Sequence, residues 1–254
     1  NYIKGTRSSI LDRRELDHFR MEHENGRCRQ CENRCILTIN KFSDGTRFIT
    51  GNRCEKGAGG AMHKNRLPNM YEYKVNRLFG YTPLSEVEAT RGSVAIPRVL
   101  NMYEDYPFWF TFFTELKFRV ELSPISTKSI YNMGIDSIPS DTACYPAKLV
   151  HGHIKWLVDK GYKTIFYPSL NYEEKEDPTA PNHYNCPIVA TYPEVIGNNM
   201  DELLAENEVR FLHPFLPFDD DNALIRELTD IFKVYHIWKE EITRAVFKAR
   251  EEHH

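Results

Sequence analysis

The apolar residues of this chain switch between strand-like and helix-like spacing, and the switches predict strands alternating with helices from residue 91 onward. Gly92-Ser93-Val94-Ala95-Ile96-Pro97 reads as a short buried strand. Residues 101–117 place Tyr106, Phe110, Phe113 and Leu116 on one side of a helix, and Phe118-Arg-Val-Glu-Leu122 reads as the next strand. A short helix over 126–133 starts on Ser126 as cap and stops at Gly134. A longer one over 146–160 carries Ala147, Val150, Ile154, Leu157 and Val158 on one face, with Gly161 just past its end. Lys163-Thr-Ile-Phe-Tyr167 and Glu208-Val-Arg-Phe-Leu212 read as strands, and residues 222–251 as one long amphipathic helix. Strands alternating with helices imply an α/β fold with a Rossmann-like, mostly parallel sheet and helices on both faces.

The first ninety residues have a different texture. A polar helical stretch covers 9–22, four cysteines lie between 28 and 54, and the glycine-rich Gly57-Ala58-Gly59-Gly60 leads into a basic, loop-like connector over 61–90. The expected division is therefore 1–90, a small cysteine-bearing lobe with its connector, and 91–254, the α/β domain. The chain lacks an initial Met and stops inside a helical pattern, so it is expected to be a piece of a longer or processed protein. His253-His254 is assigned no role.

Composition narrows the function classes. Charged residues make up 27%, and 33 basic residues against 36 acidic leave a net charge of −3, without the concentrated basic face of a nucleic-acid binder. No apolar run approaches the roughly 18 residues of a membrane span. Six cysteines are too few for a disulfide scaffold, and no Asn-X-Ser/Thr sequon occurs. A cytoplasmic setting is expected, with the cysteines as thiols or metal ligands.

Cys28, Cys31, Cys35 and Cys54 have the spacing C-x2-C-x3-C-x18-C. Between Cys35 and Cys54 two β-prone runs flank Asp44-Gly45, a strong hairpin signal. A hairpin with one cysteine at each base brings the two ends together, which predicts a four-thiolate metal site. A lobe of this size has little core, and a bound ion would supply stability. Four thiolates suit tetrahedral zinc and also an iron–sulfur cluster. Unligated thiols or two disulfides are the alternatives.

Cys144 precedes Tyr145-Pro146 and so sits just ahead of a helix N-terminus, where unpaired amides and the helix dipole favour negative charge. Cys186 precedes Pro187 in a loop after the strand ending near Tyr167. In a doubly wound sheet such loops converge on one crevice, so the two cysteines are expected to face each other. Lys148 and His151 share a helix face behind Cys144 and could meet an anionic ligand; His153 follows, and His183 precedes Cys186. The alternatives are inert packing cysteines and a solvated helix face. Glu173, Glu174, Lys175, Glu176 and Asp177 read as a solvated loop, and the aromatic run from Tyr103 to Phe113 as core. Glycine-rich dinucleotide and P-loop motifs, a serine elbow and H-E-x-x-H are absent from the sequence.

Arg91-Gly-Ser-Val-Ala-Ile-Pro-Arg98, Ser140-Asp-Thr-Ala-Cys144-Tyr-Pro-Ala-Lys-Leu-Val-His-Gly-His153 and Asn182-His-Tyr-Asn-Cys-Pro-Ile-Val189 together resemble the 2-hydroxyglutaryl-CoA dehydratase-like proteins. The group most similar is the large activase-related proteins of anaerobes, which carry a domain related to the dehydratase D component. Cys28-x2-Cys-Glu-Asn-Arg-Cys35 and Gly51-Asn-Arg-Cys-Glu-Lys-Gly57 also look like that group. The resemblance implies a Rossmann-like fold and a [4Fe-4S] cluster for which Cys144 and Cys186 match ligand positions. It also implies an ATP-driven activase partner that delivers one low-potential electron for dehydration of a 2-hydroxyacyl-CoA. The chain departs from the pattern at Ser169, where relatives can place a third cysteine, and it lacks the ATP-binding modules. The expected function is an iron–sulfur redox module working with activase modules of the same or another chain, and with a CoA ester or a dehydratase. A homodimer is compatible with it. The alternative is a binding or scaffold domain with structural zinc and a vestigial cluster site.

Overall fold

The computed structural model describes residues 12–58 and 68–253. The chain forms two compact units, residues 1–68 and 69–254.

In the first unit, Asp12 caps a short helix α1 (Arg13–His18) and forms a reciprocal capping box with Glu15. The helix expected over 9–22 is confined to this turn; its first residues, 9–11, lie outside the described residues. From Met21 the chain is extended instead, because strand β1 (Met21–Arg27) pairs along its whole length with β2 (Ile36–Phe42). Phe19 stacks on Phe42 at 5.5 Å at the same end. The Asp-Gly hairpin is present. β2 pairs antiparallel with β3 (Arg47–Thr50), Gly45 takes the left-handed conformation at φ 83°, and Asp44 Oδ1 accepts the Thr46 N–H.

The second unit is built on a parallel sheet of β4 (Ser93–Ile96), β5 (Arg119–Leu122), β6 (Thr164–Phe166) and β8 (Arg210–Leu212), in the order β5-β4-β6-β8. Two short strands, β7 (Ser169–Leu170) and β9 (Phe215–Leu216), extend β6 and β8 as a parallel pair. The chain leaves β4 towards β5 in one direction and returns to β6 on the other side. With right-handed crossovers, helix α3 (Met102–Glu115) and helix α5 (Tyr145–Asp159) then cover opposite faces. The α/β reading of the sequence is borne out.

Helix α3 is buried nearly all round. Tyr106, Phe108, Trp109, Phe110, Phe112 and Phe113 are core residues, and the rings of Trp109 and Phe113 meet Phe166 of β6 at 4.7 and 4.9 Å. Its outer side is covered by α9 (Lys239–His253). Part of the expected connector is helical: α2 (Met70–Phe79) is capped by Asn69 and packs on α3, while residues 59–67 lie outside the described residues.

Three local expectations are corrected. The cap of α4 (Lys128–Met133) is Thr127, whose hydroxyl accepts the Ile130 N–H, because Ser126 is engaged with His153. The long helix over 222–251 is two helices, α8 (Asp221–Phe232) and α9, broken where His236 is left-handed at φ 56° and Ile237 turns fully inward. Residues after Cys186 form two helices that the sequence did not announce, α6 (Pro187–Asn199) and α7 (Asp201–Glu206). Among the described residues no helix is long and apolar enough to cross a membrane.

Helices α4 and α5 pack backbone to backbone at Gly152, where an added Cβ would run into the Ile130 carbonyl oxygen, and Gly134 is equally confined by the backbone at 151–152. Gly152→Ala is therefore expected to lower the unfolding free energy by about 2–3 kcal/mol. Urea unfolding followed by circular dichroism checks this, and an unchanged midpoint would show that the helices can part without cost.

Candidate functional site

The two cysteines expected to share a crevice occupy equivalent local positions. Cys144 is the N-cap of α5 and Cys186 the N-cap of α6, each followed by proline within the first two helical residues. Neither side chain caps its own helix, and both thiols are exposed. The helices pack against each other.

A buried hydrogen-bond chain joins them. Ser137 donates to the Gly134 carbonyl at 2.9 Å, so its oxygen accepts from His151 Nδ1 at 2.8 Å. That leaves His151 Nε2 to accept from the Tyr192 hydroxyl at 3.0 Å. His151 is fully buried, and burial pushes its pKa down to about 4, so the ring is neutral. Burial likewise pushes the Tyr192 hydroxyl up to about 12, and the nearby Cys144 adds to that shift. His151 thus lies beneath the surface between the two helices. Lys148 is turned back to the Asp141 carbonyl at 2.7 Å.

Cys186 is presented by a loop that folds back on itself. Glu173 and His183 are paired through their backbones at 2.9 Å, and Tyr172 bridges to Tyr184. Asn185 donates its amide to the Leu170 carbonyl at 3.0 Å and to the Glu173 carboxyl. The Glu173–Asp177 run is therefore not uniformly solvated. Glu173 hydrogen-bonds Asp105, a fully buried carboxyl on α3. Burial raises Asp105 well above the usual carboxylate range, and the neighbouring Glu173 charge raises it further, so Asp105 is the protonated partner and donates. His253 Nε2 lies 3.7 Å from Asp105 Oδ1, which gives this residue a structural place the sequence did not suggest. Beside it the Arg250 guanidinium lies over the Phe218 and Phe108 rings at 4.3 and 4.9 Å. It also pairs with Asp221 and Glu174 at 2.9 and 3.2 Å.

At the carboxyl end of β5, His153 is buried between Ser123 and Ser126, at 2.7 and 2.9 Å, and is held neutral with a pKa of about 4 by burial and the nearby Arg98. Ser169, the position of the expected missing ligand, is fully buried in β7. A cleft of about 370 Å³ opens at the Cys186 loop, lined by Asn171, Tyr172, Phe215, Leu216, Asp219 and Glu227.

The four N-terminal cysteines lie at one end of the three-stranded sheet. Cys28 and Cys35 extend the β1–β2 ladder, with the Cys28 N–H on the Cys35 carbonyl at 2.9 Å. Cys31 lies in the turn between these strands and Cys54 follows β3. The expected convergence of their side chains is not present: Cys28 is 7% exposed and inward, whereas Cys31 and Cys54 face solvent. Among the described residues no group of three or more His, Cys, Asp or Glu side chains is placed to hold a metal ion, and all six cysteines are free thiols.

The sequence located Cys144 at a helix start through the proline that follows it, but placed Cys186 in a loop, and the helix it precedes was not expected. It missed Asp105, Glu173 and Arg250; an acid inside the aromatic run of α3 was the available signal for the first.

Residues 93–254 match the family described as CoA enzyme activase uncharacterised domain (DUF2229), which is more than half of the chain. The chain belongs to this activase-related family. No curated protein and no solved structure matches it.

A carboxyl whose pKa is raised by folding binds its proton more tightly in the folded chain. Its contribution is fully present below the ordinary value of 3.8 and is lost as pH rises through the folded value. The stability of the parent relative to Asp105→Asn is therefore expected to decline as pH rises from 4 to 9. Urea unfolding across that range checks it, and a pH-independent difference would place the ionised form of Asp105 in the fold.

Proposed function

We propose that this activase-family chain is an iron–sulfur redox module of the CoA-ester dehydratase and activase type, with Cys144 and Cys186 as cluster ligands. The observation that carries the reading is that two exposed thiols each stand at the N-cap of a helix, and that these two helices pack against each other. Each stands where helix amides and dipole stabilise a thiolate bound to a cationic centre. The two thiols would supply two corners of a cluster. The remaining ligands would come from a partner chain, a second copy or another side chain, since Ser169 is buried in β7. A bound [4Fe-4S] cluster would supply one-electron chemistry at low potential. The chain's own residues set the mount. The Tyr192–His151–Ser137 chain ties α6 to α5 and to the turn after α4, and so fixes where the two thiols stand. Because His151 is neutral, it adds no positive charge beneath them. ATP-dependent activase modules are the proposed electron source, and a CoA ester or a dehydratase the recipient.

A second reading is favoured by the other cysteines. Four thiols lie at one end of a three-stranded sheet with little core; structural zinc would have to turn their side chains towards one point, and would make the first unit a binding or scaffold lobe.

Oxygen-free purification and reconstitution, with iron, sulfide and zinc measured for the parent and three variants, tests both. Iron is expected to bind and to be lost in Cys144→Ser and Cys186→Ser but retained in Cys28→Ser. Zinc near one per chain, absent from Cys28→Ser and with no iron in any variant, would overturn the redox reading and leave the second.

A further inference from the structure

The half-buried arginines of the second unit mostly have carboxylate partners. Arg91 meets Glu241 at 2.8 Å, Arg119 meets Glu121 at 2.5 Å, and Arg250 meets Asp221 and Glu174. Arg98 is the exception. Its guanidinium stacks over the Phe79 ring at 4.5 Å, its Nε is buried without a hydrogen-bond partner, and no ion pair forms to it among the described residues. The charged or polar groups around it are the Tyr103 and Tyr106 hydroxyls and His153, which is neutral. Burial lowers its pKa, as for any cation taken from water without a counter-charge.

Its position is fixed by the fold. Arg98 follows the carboxyl end of β4, and its backbone N–H donates to Ser123 Oγ, after β5, at 2.7 Å. β4 lies between β5 and β6, so this is where the chain order of the sheet reverses. Open parallel sheets bind ligands outside the strand carboxyl ends at such a point. Other buried polar atoms without hydrogen-bond partners lie on the segments that leave β4 and β6: Asn101 Oδ1, Tyr167 Oη and Ser169 Oγ. Unsatisfied polar groups gathered at neighbouring strand ends mark a place where a ligand or ordered water completes the bonding.

We infer that Arg98 is the anchor of an oxyanion-binding subsite at the switch point of the sheet. The Phe79 platform holds one face of the guanidinium, which leaves its Nη edge to take a carboxylate or phosphate in a two-pronged contact. A CoA ester carries both groups, phosphates on the coenzyme and often a carboxylate on the acyl chain. That assignment of the anion rests on the proposed function, whereas the subsite itself does not.

The test is calorimetric titration of the iron-free full chain with coenzyme A, inorganic pyrophosphate and glutarate, for the parent, Arg98→Met, Arg98→Lys and Phe79→Leu. The parent is expected to bind at least one probe. Arg98→Met should weaken binding tenfold or more, Arg98→Lys less, and Phe79→Leu a few-fold. Pyrophosphate without glutarate identifies a phosphate source, and glutarate without pyrophosphate an acyl carboxylate. The near-ultraviolet spectrum reports folding; if Arg98→Met does not fold, the Lys and Leu variants decide. Absence of binding by the parent at millimolar probe, or equal binding by parent and folded variants, would overturn the subsite. The titration uses protein without iron, so loss of iron binding at Cys144 leaves it standing, and its failure leaves the cluster reading standing.

Discussion

A parallel sheet must be covered on both faces, and in this protein the cover on one face is a helix with hardly any polar side. Helix α3 presents aromatic rings to β6 inward and to α8 and α9 outward, so that Phe112 and Phe113 each also meet Phe232. A surface helix could lose its contacts one at a time. A helix buried all round ties the sheet, the C-terminal helices and α2 into one packing problem, in which a gap anywhere is felt everywhere.

That constraint explains why polar groups near α3 are so closely arranged. Asp105 enters the core with the helix and stays there protonated, bonded to Glu173. Arg250 enters from α9 and is accommodated by two rings, two carboxylates and the Phe218 carbonyl. Arg98 has the ring but not the carboxylate. The contrast between the last two is chemical: one buried cation is complete within the chain, and the other is left with an open edge.

The parts of the fold legible in the sequence were those with an undiluted signal. Val94-Ala95-Ile96, the aromatic α3 and the Asp-Gly hairpin stood out because spacing and turn residues agreed. β1 was obscured because Met21–Arg27 is polar and largely exposed, and its strand character comes from pairing with β2. The break between α8 and α9 carries neither glycine nor proline; His236 adopts the left-handed conformation because Ile237 is needed in the core. At the candidate site, the helix start at Cys144 was legible from Pro146, whereas the one at Cys186 was read as loop although Pro187 follows it. The burial of His151 was not legible, since its partner Tyr192 is 41 residues away. The side chains at 28, 31, 35 and 54 taught the converse: spacing brought them to one end of a sheet without turning them towards one point.

Gly152 gives this arrangement a mechanical character. Side chains between helices can change rotamer and let one helix roll against another. Where backbone meets backbone, as α5 meets the Ile130 carbonyl, no such compliance exists. Helix α5 is a rigid strut, pinned near its middle by that contact and by the His151–Tyr192 bond. Cys144 stands at the end of the strut, so a group that engages it must be brought to the thiol rather than gathered in by it.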